Sequence, residues 1–404
     1  MAIYTGSIAL TENDRNEQLP FMLAIYLLTD LGPRYAPKCI TFSEAFTLAT
    51  LVTVYTSFTL KQMIAPVMSS VGNPTLNAIV FAPWISIICL LAVFLVLRHL
   101  LSPCLKPSTI FNVLLLITLV SLACFYLQDV IFKRLLKILL HQENVYMIAY
   151  LAITLSVGLF ILYDLSKHWE KQVLELGPIT TLTHRKLFHV LALVLYTPMH
   201  IRIMEDRKMY EFLMLSQNLV TVLFIFIELT RFINLENQLG KTLNIAFMRF
   251  VDHRERTKNR LLLTHVYLLI GLGVSTNLNF ILLNGGFPDG EMAAFSYSGV
   301  IFLGVADVFA AIIGSKVGSE FWRAHAHKKT YDGTLYALLL TSIAYYIFCM
   351  NLYPHMCSLF LIVFFATFCT CIVEGWTSQF DNLVCPVVFW ICLHQLYDYA
   401  MNIA

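Results

Sequence analysis

Charged residues are scarce in this sequence. Asp, Glu, Lys and Arg together make up 13% of its 404 residues, whereas hydrophobic residues make up 58%. Soluble domains carry roughly a quarter charged residues, so this chain has too few polar side chains to cover a water-soluble globule. The formal net charge is only +2, which argues against the basic surface that a nucleic-acid partner would need. The composition therefore indicates an integral membrane protein.

Several sequence motifs are also missing. The ten cysteines include no pair separated by two residues, so neither a zinc ribbon nor a thioredoxin-like site is indicated, and we expect reduced structural thiols. No Walker A loop occurs, which excludes a P-loop nucleotide site. Residues 1–20 lack the pattern of a signal peptide, and we expect internal segments to direct membrane insertion.

Long apolar runs dominate what is present. A transmembrane helix needs about 20 apolar residues, and the sequence predicts an all-α, multi-pass helical bundle with about eleven transmembrane helices. We divide it into N-terminal transmembrane helices over 1–183 and a C-terminal transmembrane region over 184–404, which contains the polar motifs described below. Within 230–261, apolar residues recur every three or four positions beside basic ones, which predicts an amphipathic helix at the membrane interface. The predicted spans are 42–60, 77–97, 109–127, 144–163, 187–201, 210–229, 262–283, 292–313, 333–350, 355–373 and 382–400.

Basic residues are distributed unevenly between the loops. If the N-terminus is cytosolic, 20 of the 27 Lys and Arg residues fall in cytosolic segments, as the positive-inside rule requires. The loop 128–143, with Lys133, Arg134 and Lys137, is an exception on the opposite side. This orientation predicts that the polar segments 314–332 and 374–381 share the cytosolic face.

A single carboxylate interrupts the apolar run from Tyr297 to Ile313. Asp307 is costly there, and an ionisable residue within a span is by default functional or tightly paired. Small residues share its helix face at three- and four-residue spacing. Such a face either packs closely against another helix, with the Asp hydrogen-bonded by a neighbour, or admits a ligand. These small residues are Gly304, Ala311, Gly314 and Gly318.

The next segment combines flexible glycines, adjacent lysines and hydroxyl groups. Lys328 and Lys329 come just before a predicted helix start at Gly333. Ammonium groups, hydroxyls and the amides of a helix N-terminus are the donors that a polyphosphate needs. A basic cytosolic loop is also common for topological reasons alone. His325 and His327 have the spacing of a metal pair, but no third ligand lies near them in the sequence.

Acidic and amide side chains gather in a third segment, between the last two spans. Glu374, Asp381 and Asn382 lie there with no cation among them. Carboxylates placed opposite a phosphate cradle favour Mg²⁺, a hard cation with oxygen ligands, although a solvated loop would have the same composition. Glu228 and Arg231, at the end of an earlier span, are spaced to form an ion pair in the membrane.

In order and spacing, these motifs resemble the polyprenol kinase family of CTP-dependent membrane enzymes. The resemblance covers 184–390, about the C-terminal half of the chain. Within the family, the segments 185–189 and 263–267 resemble the branch that phosphorylates dolichol. The motif residues are Asp307, Ala310, Ala311, Gly314, Ser315 and Gly318, then Lys328, Lys329, Thr330, Asp332, Gly333 and Thr334, then Glu374, Asp381, Asn382 and Pro386.

The resemblance implies transfer of the γ-phosphoryl group of CTP to dolichol in the lipid bilayer. The products would be CDP and dolichyl phosphate, a carrier for protein glycosylation, made at the cytosolic face of the endoplasmic reticulum membrane. Mg²⁺ or another divalent cation is implied as cofactor. The loop 315–334 would bind CTP, with Lys328 and Lys329 holding its phosphates, while Asp381 would accept the hydroxyl proton.

The residues implied by the resemblance form four groups. The catalytic residues would be Asp307, Lys328, Lys329 and Asp381. The CTP-binding residues would be Gly314, Ser315, Gly318, Lys328, Lys329, Thr330, Asp332, Gly333 and Thr334, and the metal ligands would be Asp307, Glu374 and Asp381. The fourth group has no assigned role and comprises Arg185, Lys186 and His189.

Other functions fit parts of the same pattern. Another polyprenol or phytol kinase would differ only in the acceptor. A cytidylyltransferase related to CDP-diacylglycerol synthase would use CTP and a metal but an acidic acceptor, and would release pyrophosphate. A transporter of a phosphorylated solute would use Asp307 and Lys328 as substrate contacts. The chain departs from the family at Asp332, where Glu is usual, and across 323–327.

Overall fold

In the residues that it describes, the computed structural model has helices as its regular structure and no β-strand, apart from one isolated β-bridge. This confirms the predicted class, an all-α, multi-pass membrane protein. The structure describes residue 29 and residues 45–54, 74–101, 105–176, 178–203, 206–248, 261–283, 286–288, 290–322, 329–352, 359–376 and 381–403.

The described helices follow one another through mostly short connections. A π-helical turn, Phe302–Ala306, joins α11 to α12. In chain order the helices are α1 (Ala45–Val54), α2 (Pro74–Leu101), α3 (Pro107–Tyr126), α4 (Asp129–Leu139), α5 (Gln142–Leu176), α6 (Pro178–Arg202), α7 (Arg207–Ile233), α8 (Gln238–Met248), α9 (Thr264–Leu282), α10 (Gly290–Phe295), α11 (Ser298–Ile301), α12 (Asp307–Lys316), α13 (Tyr331–Leu352), α14 (Leu359–Trp376) and α15 (Asp381–Ile403).

Nine helical stretches in the described part of the chain are long and apolar enough to cross a membrane. They correspond to nine of the predicted spans, with 292–313 becoming Ser298–Lys316. The predicted span 42–60 is described only over Ala45–Val54, which is too short to count. The predicted span 187–201 lies inside α6, whose threonines, histidines and basic residues dilute its apolar character.

The helices belong to two compact units that interleave along the sequence. α7 and α9 contribute residues to both units. The predicted division at residue 183 concerned where the catalytic segments begin, and it stays a prediction. Unit 1 comprises Met1–His141, Met214–Val266 and Asn284–Gly286; unit 2 comprises Gln142–Leu213, Tyr267–Leu283 and Phe287–Ala404.

Unit 1 has an apolar core between α2, α3 and α7, in which Phe94 packs edge-on against Phe111. The exceptional loop 128–143 contains the amphipathic helix α4. It buries Ile131 and Ile138 and exposes Lys133. Because α4 is amphipathic, the basic residues of this segment belong to the polar side of a helix and not to an irregular loop.

A buried ion pair ties together three parts of unit 1. Arg231 lies 2.6 Å from Glu228, which confirms the predicted pair. The guanidinium also donates to Asn244 of α8 at 2.7 Å, and the Glu228 carboxylate accepts the Leu262 amide at 2.5 Å. α8 occupies part of the predicted amphipathic segment, and its place at the membrane interface stays a prediction. The basic residues 249–260 lie outside the described part.

Unit 2 contains a polar network in its interior. Asn279 of α9 accepts hydrogen bonds from Trp390 at 2.7 Å and from His394 at 2.9 Å, both on α15. Its amide group donates to Met292 and to Ser296. Since this one buried amide uses both its oxygen and its nitrogen, it fixes α15 against α9 at the level of the aromatic core.

Candidate active site

Asp307 begins α12, directly after the π-helical turn Phe302–Ala306. Such turns inside helices often mark functional sites. Only 3% of the Asp307 side chain is exposed, and its Oδ2 atom lies 2.5 Å from Lys186 Nζ. The same oxygen lies 3.1 Å from His189 Nε2. The carboxylate is therefore buried and paired inside the protein.

One face of α6 supplies both partners of Asp307. Lys186, His189 and Leu193 follow one another at three- and four-residue spacing, so they lie on the same side of the helix. Leu193 packs against Gly304, where an added Cβ would lie 2.7 Å from the leucine Cβ. The lack of a side chain at Gly304 lets α6 approach closely, which brings Lys186 and His189 to Asp307.

Two further carboxylates share one lysine. Glu374 lies in the last turn of α14, and Asp381 begins α15. Lys329 Nζ is 3.5 Å from Glu374 Oε1 and 3.1 Å from Asp381 Oδ2. Burial lowers the pKa of Lys329, but the negative charges of Asp381 and Glu374 outweigh it and raise the pKa above its ordinary value. Lys329 therefore stays charged at physiological pH.

Asp307, Glu374 and Asp381 form what we call the carboxylate cluster. One oxygen from each lies within 4.8 Å of the other two. Carboxylate oxygens that converge in this way suit Mg²⁺ or a similar hard cation. The three negative charges face the positive charges of Lys186 and Lys329. The three carboxylates and the two lysines together carry a formal charge of −1, which leaves the cluster able to attract a cation.

The first turn of α15 lies against α9 with no side chain between them. Pro386 has no N–H group, so the carbonyl of Asn382, four residues earlier, loses its helical donor. A Cβ at Gly271 would collide with that carbonyl oxygen and would lie 3.1 Å from the Pro386 ring. Glycine at position 271 therefore allows the start of α15, which carries Asp381, to sit close to α9.

Trp322 connects the segment before α13 to the end of α14. Its backbone N–H donates to Lys329 O at 2.9 Å, which brings the two ends of the loop together. Its indole Nε1 donates to Thr334 at 3.0 Å. The ring covers Gly375, where an added Cβ would lie 2.6 Å from it. Trp322 therefore links the lysine segment to the residue next to Glu374.

Thr330 fills the space beside three of the predicted CTP-binding glycines. An added Cβ at Gly314, Gly318 or Gly333 would lie 3.0 Å or less from the Thr330 side chain. Its hydroxyl also accepts the Gly333 amide at 3.1 Å. The glycines thus let α12 and α13 cross closely, as the packing alternative required. Their contact with CTP stays a prediction.

The other described residues of the predicted CTP segment make local hydrogen bonds. The hydroxyl of Ser315 donates to the Ile312 carbonyl at 3.0 Å, and Asp332 accepts the Ser319 amide at 3.2 Å. The Thr334 hydroxyl donates to the backbone carbonyl of Thr330 at 3.1 Å. The segment is thus held in place around the start of α13.

Some predicted residues lie outside the described part of the chain. They are Lys328, with the loop 323–327 before it, and the side chain of Arg185. No sequence pattern singled out Trp322 or Gly271. Lys186 and His189 were placed in the site only by the resemblance of segment 185–189 to the family, which gave them no role.

The fold and the carboxylate cluster together define a helical membrane protein with a buried site suited to a hard cation. Comparison with known proteins narrows this class: the chain is similar to dolichol kinases. This similarity confirms the resemblance seen in the motifs. It is 30% identical over 213 residues to the dolichol kinase of Homo sapiens, a match that covers 52% of this chain and 37% of the human protein. This chain therefore spans well under half of that relative's length.

Fungal and plant relatives give the same result. The chain is 29% identical over 216 residues to the dolichol kinase sec59 of Schizosaccharomyces pombe, covering 53% of this chain and 39% of that protein. It is 28% identical over 218 residues to the dolichol kinase EVAN of Arabidopsis thaliana, covering 52% and 35%. No family model matches the chain, and no solved structure matches it significantly.

Proposed function

We propose that this protein is a CTP-dependent lipid-alcohol kinase that phosphorylates dolichol. The observation that carries the proposal is the carboxylate cluster, with three carboxylates from α12, α14 and α15 converging within 4.8 Å beside two lysines. Phosphoryl transfer requires charge neutralisation and positioning more than covalent chemistry by the protein. The similarity to dolichol kinases supports dolichol as the acceptor.

The carboxylate cluster has the donor set that a divalent cation needs. Asp307, Glu374 and Asp381 supply only oxygen ligands, and Mg²⁺ binds such ligands at about 2.0–2.1 Å. Small movements of side chains already within 4.8 Å would bring them to one ion. When bound, the cation would neutralise charge on the β- and γ-phosphates of CTP.

The lysines would hold the nucleotide. Lys329 has three N–H donors, of which Glu374 and Asp381 take two. The third is available for a phosphate oxygen, and 23% of the side chain is exposed. Lys328 would be the second phosphate contact, with the segment from Gly314 to Thr334 surrounding the nucleotide.

The chemical step would transfer one phosphoryl group and one proton. The hydroxyl oxygen of dolichol would attack the γ-phosphorus, and the bond between that phosphorus and the β–γ bridging oxygen would break. CDP would leave with the electron pair. We assign the hydroxyl proton to Asp381, because its side chain is 17% exposed, against 7% for Glu374 and 3% for Asp307. The most exposed of the three carboxylates is the one that an acceptor entering the site from outside the protein reaches first.

The two substrates constrain where the site must lie. Dolichol stays in the bilayer and CTP arrives from water, so transfer must occur at a membrane surface. Glu374 ends one span and Asp381 begins the next. The segments that share a membrane face with Glu374 and Asp381 carry 20 of the 27 Lys and Arg residues. By the positive-inside rule, this bias favours the cytosolic face for the site. We therefore propose an endoplasmic reticulum membrane enzyme that supplies dolichyl phosphate for protein glycosylation from the cytosolic side.

Two radiolabelled forms of CTP test the proposed reaction. The purified chain is incubated with Mg²⁺, dolichol, phytol or phosphatidic acid, and CTP labelled at either the α- or the γ-phosphate. We expect γ-label, and no α-label, in the lipid fraction with dolichol. Transfer of α-label to phosphatidic acid would instead identify a cytidylyltransferase. γ-Label in phytol alone would identify a different lipid kinase, and no transfer to any acceptor would reject the proposal.

A further inference from the structure

His189 joins two parts of the site that come from different helices. Its Nε2 atom lies 3.1 Å from Asp307 Oδ2 and 3.1 Å from Asn382 Oδ1. Both neighbours are acceptor oxygens, so Nε2 carries the hydrogen and donates to both. His189 is 3% exposed and Asn382 is 4% exposed. This is a buried bridge from α6 to the first turns of α12 and α15.

The bridge also distinguishes the two oxygens of Asp307. Lys186 and His189 both contact Oδ2. Among the residues that the structure describes, Oδ1 has no hydrogen-bond partner. An oxygen held by two donors is a poorer metal ligand than one that is not, so the contacts of His189 and Lys186 leave Oδ1 as the ligand atom.

We propose that His189 is a positioning residue of the metal site, which holds Asp307 and the start of α15 at the separation that a divalent cation requires. The inference rests on the proposed function, in which the carboxylate cluster binds that cation. Asn382 follows Asp381 directly, so a bond to the Asn382 side chain also fixes the neighbouring ligand. Groups that orient metal ligands in this way typically contribute about 10–100-fold to metal affinity or activity.

A buried histidine also fills space, and the test must separate filling from positioning. Gln places its amide nitrogen the same number of bonds from Cα as Nε2 of histidine, whereas the amide nitrogen of Asn is one bond short. His189→Gln can therefore still donate to Asp307 and Asn382. His189→Asn cannot reach them, although both variants lose the imidazole ring.

The experiment measures Mn²⁺ binding to the full chain in detergent micelles by electron paramagnetic resonance of free Mn²⁺. No CTP or dolichol is present. We expect His189→Asn to weaken Mn²⁺ binding by about 10–100-fold and His189→Gln to weaken it less than about tenfold. Thermal unfolding of both variants is recorded in parallel, and we expect both to unfold at a lower temperature than the wild type.

Several outcomes would overturn the inference. Equal loss of Mn²⁺ affinity in both variants, no loss in either, or no Mn²⁺ binding by the wild type would each do so. If His189→Asn does not fold, Asn382→Ala removes the other end of the bridge and should weaken binding, whereas unchanged affinity would reject the bridge. Because no substrate is used, Mn²⁺ binding with the expected order but without phosphoryl transfer would reject only the proposed function.

Discussion

Lys186→Met removes one charge from a pair that is almost fully buried. Lys186 and Asp307 expose only 4% and 3% of their side chains, and Lys186 Nζ lies 2.5 Å from Asp307 Oδ2. Removing one partner of a buried ion pair costs about 3–5 kcal/mol, because the remaining charge loses its compensation. Because His189 still contacts Asp307 Oδ2 in the variant, we expect the free energy of unfolding to fall by about 3 kcal/mol, the lower end of that range.

Mg²⁺ should oppose this loss. The wild-type cluster sets three carboxylates against two ammonium groups, and the variant sets the same three against Lys329 alone. Its formal charge therefore changes from −1 to −2, which strengthens the attraction of a divalent cation. A ligand at about a hundred times its Kd stabilises a protein by about 2.7 kcal/mol. Mg²⁺ should raise the unfolding temperature of Lys186→Met more than that of the wild type.

Thermal unfolding in detergent micelles, followed by circular dichroism with and without Mg²⁺, measures both effects. The matched control is Lys186→Met combined with Asp307→Asn, which removes both charges and should recover most of the lost stability. A single variant as stable as the wild type would refute the buried pair. A double variant no more stable than the single one would refute the assignment of the loss to the unpaired Asp307 charge.

Three further predictions concern the loop and the topology. Lys329→Met should lower the unfolding temperature by the same amount at every pH from about 6 to 9. A lysine whose pKa is raised in the folded state stabilises the protein fully below its unfolded-state pKa of about 10.4, and this stabilisation is lost only as the pH rises through the folded-state pKa. A difference in unfolding temperature between variant and wild type that shrinks within that range contradicts the raised pKa. Gly375→Ala should raise the KM for CTP, because its Cβ would lie 2.6 Å from the Trp322 ring, and adding Trp322→Leu should relieve part of the defect; an unchanged KM contradicts the contact's role. An engineered glycosylation site within 284–291 should be modified in microsomes and one within 319–327 should not, and the reverse pattern inverts the proposed orientation.

The membrane helices were predictable because the bilayer leaves a chain few options. A run of about 20 apolar residues must satisfy its own backbone hydrogen bonds, which a helix does. α3 and α9 lie almost where their apolar runs predicted them. The extent of α6 was harder to predict. The polar residues on the face that meets α12 reduce the apolar signal on which the prediction depends, so only 187–201 of this helix was predicted as a span.

The pairing within the site could not be read from local patterns. Lys186 and Asp307 are 121 residues apart, and periodicity describes one helix at a time. It marks Asp307 as costly in its span but does not identify the partner. Gly304 and Leu193, whose contact brings α6 to α12, are individually ordinary residues in apolar helices.

The lysine and the carboxylates of the second half were nearer to prediction. Lys329, Glu374 and Asp381 lie at the ends of consecutive spans, so the topology alone puts them on one membrane face. Motif order suggested a shared metal site, and the structure brings their side chains together. No motif marked Trp322 or its partner Gly375, whereas the neighbouring Glu374 stood out as a carboxylate at the end of a span.

Phosphoryl transfer by the purified chain, compared with Asp307→Asn, tests the central claim most directly. The two proteins are incubated with γ-labelled CTP, Mg²⁺ and dolichol, and the label in dolichyl phosphate is normalised to the folded fraction of each. The wild type should form labelled dolichyl phosphate, and Asp307→Asn should form at least about a hundredfold less, as expected when a charged metal ligand is lost. Equal transfer by both proteins would contradict a catalytic carboxylate cluster, and no transfer by the wild type would contradict the proposed function itself.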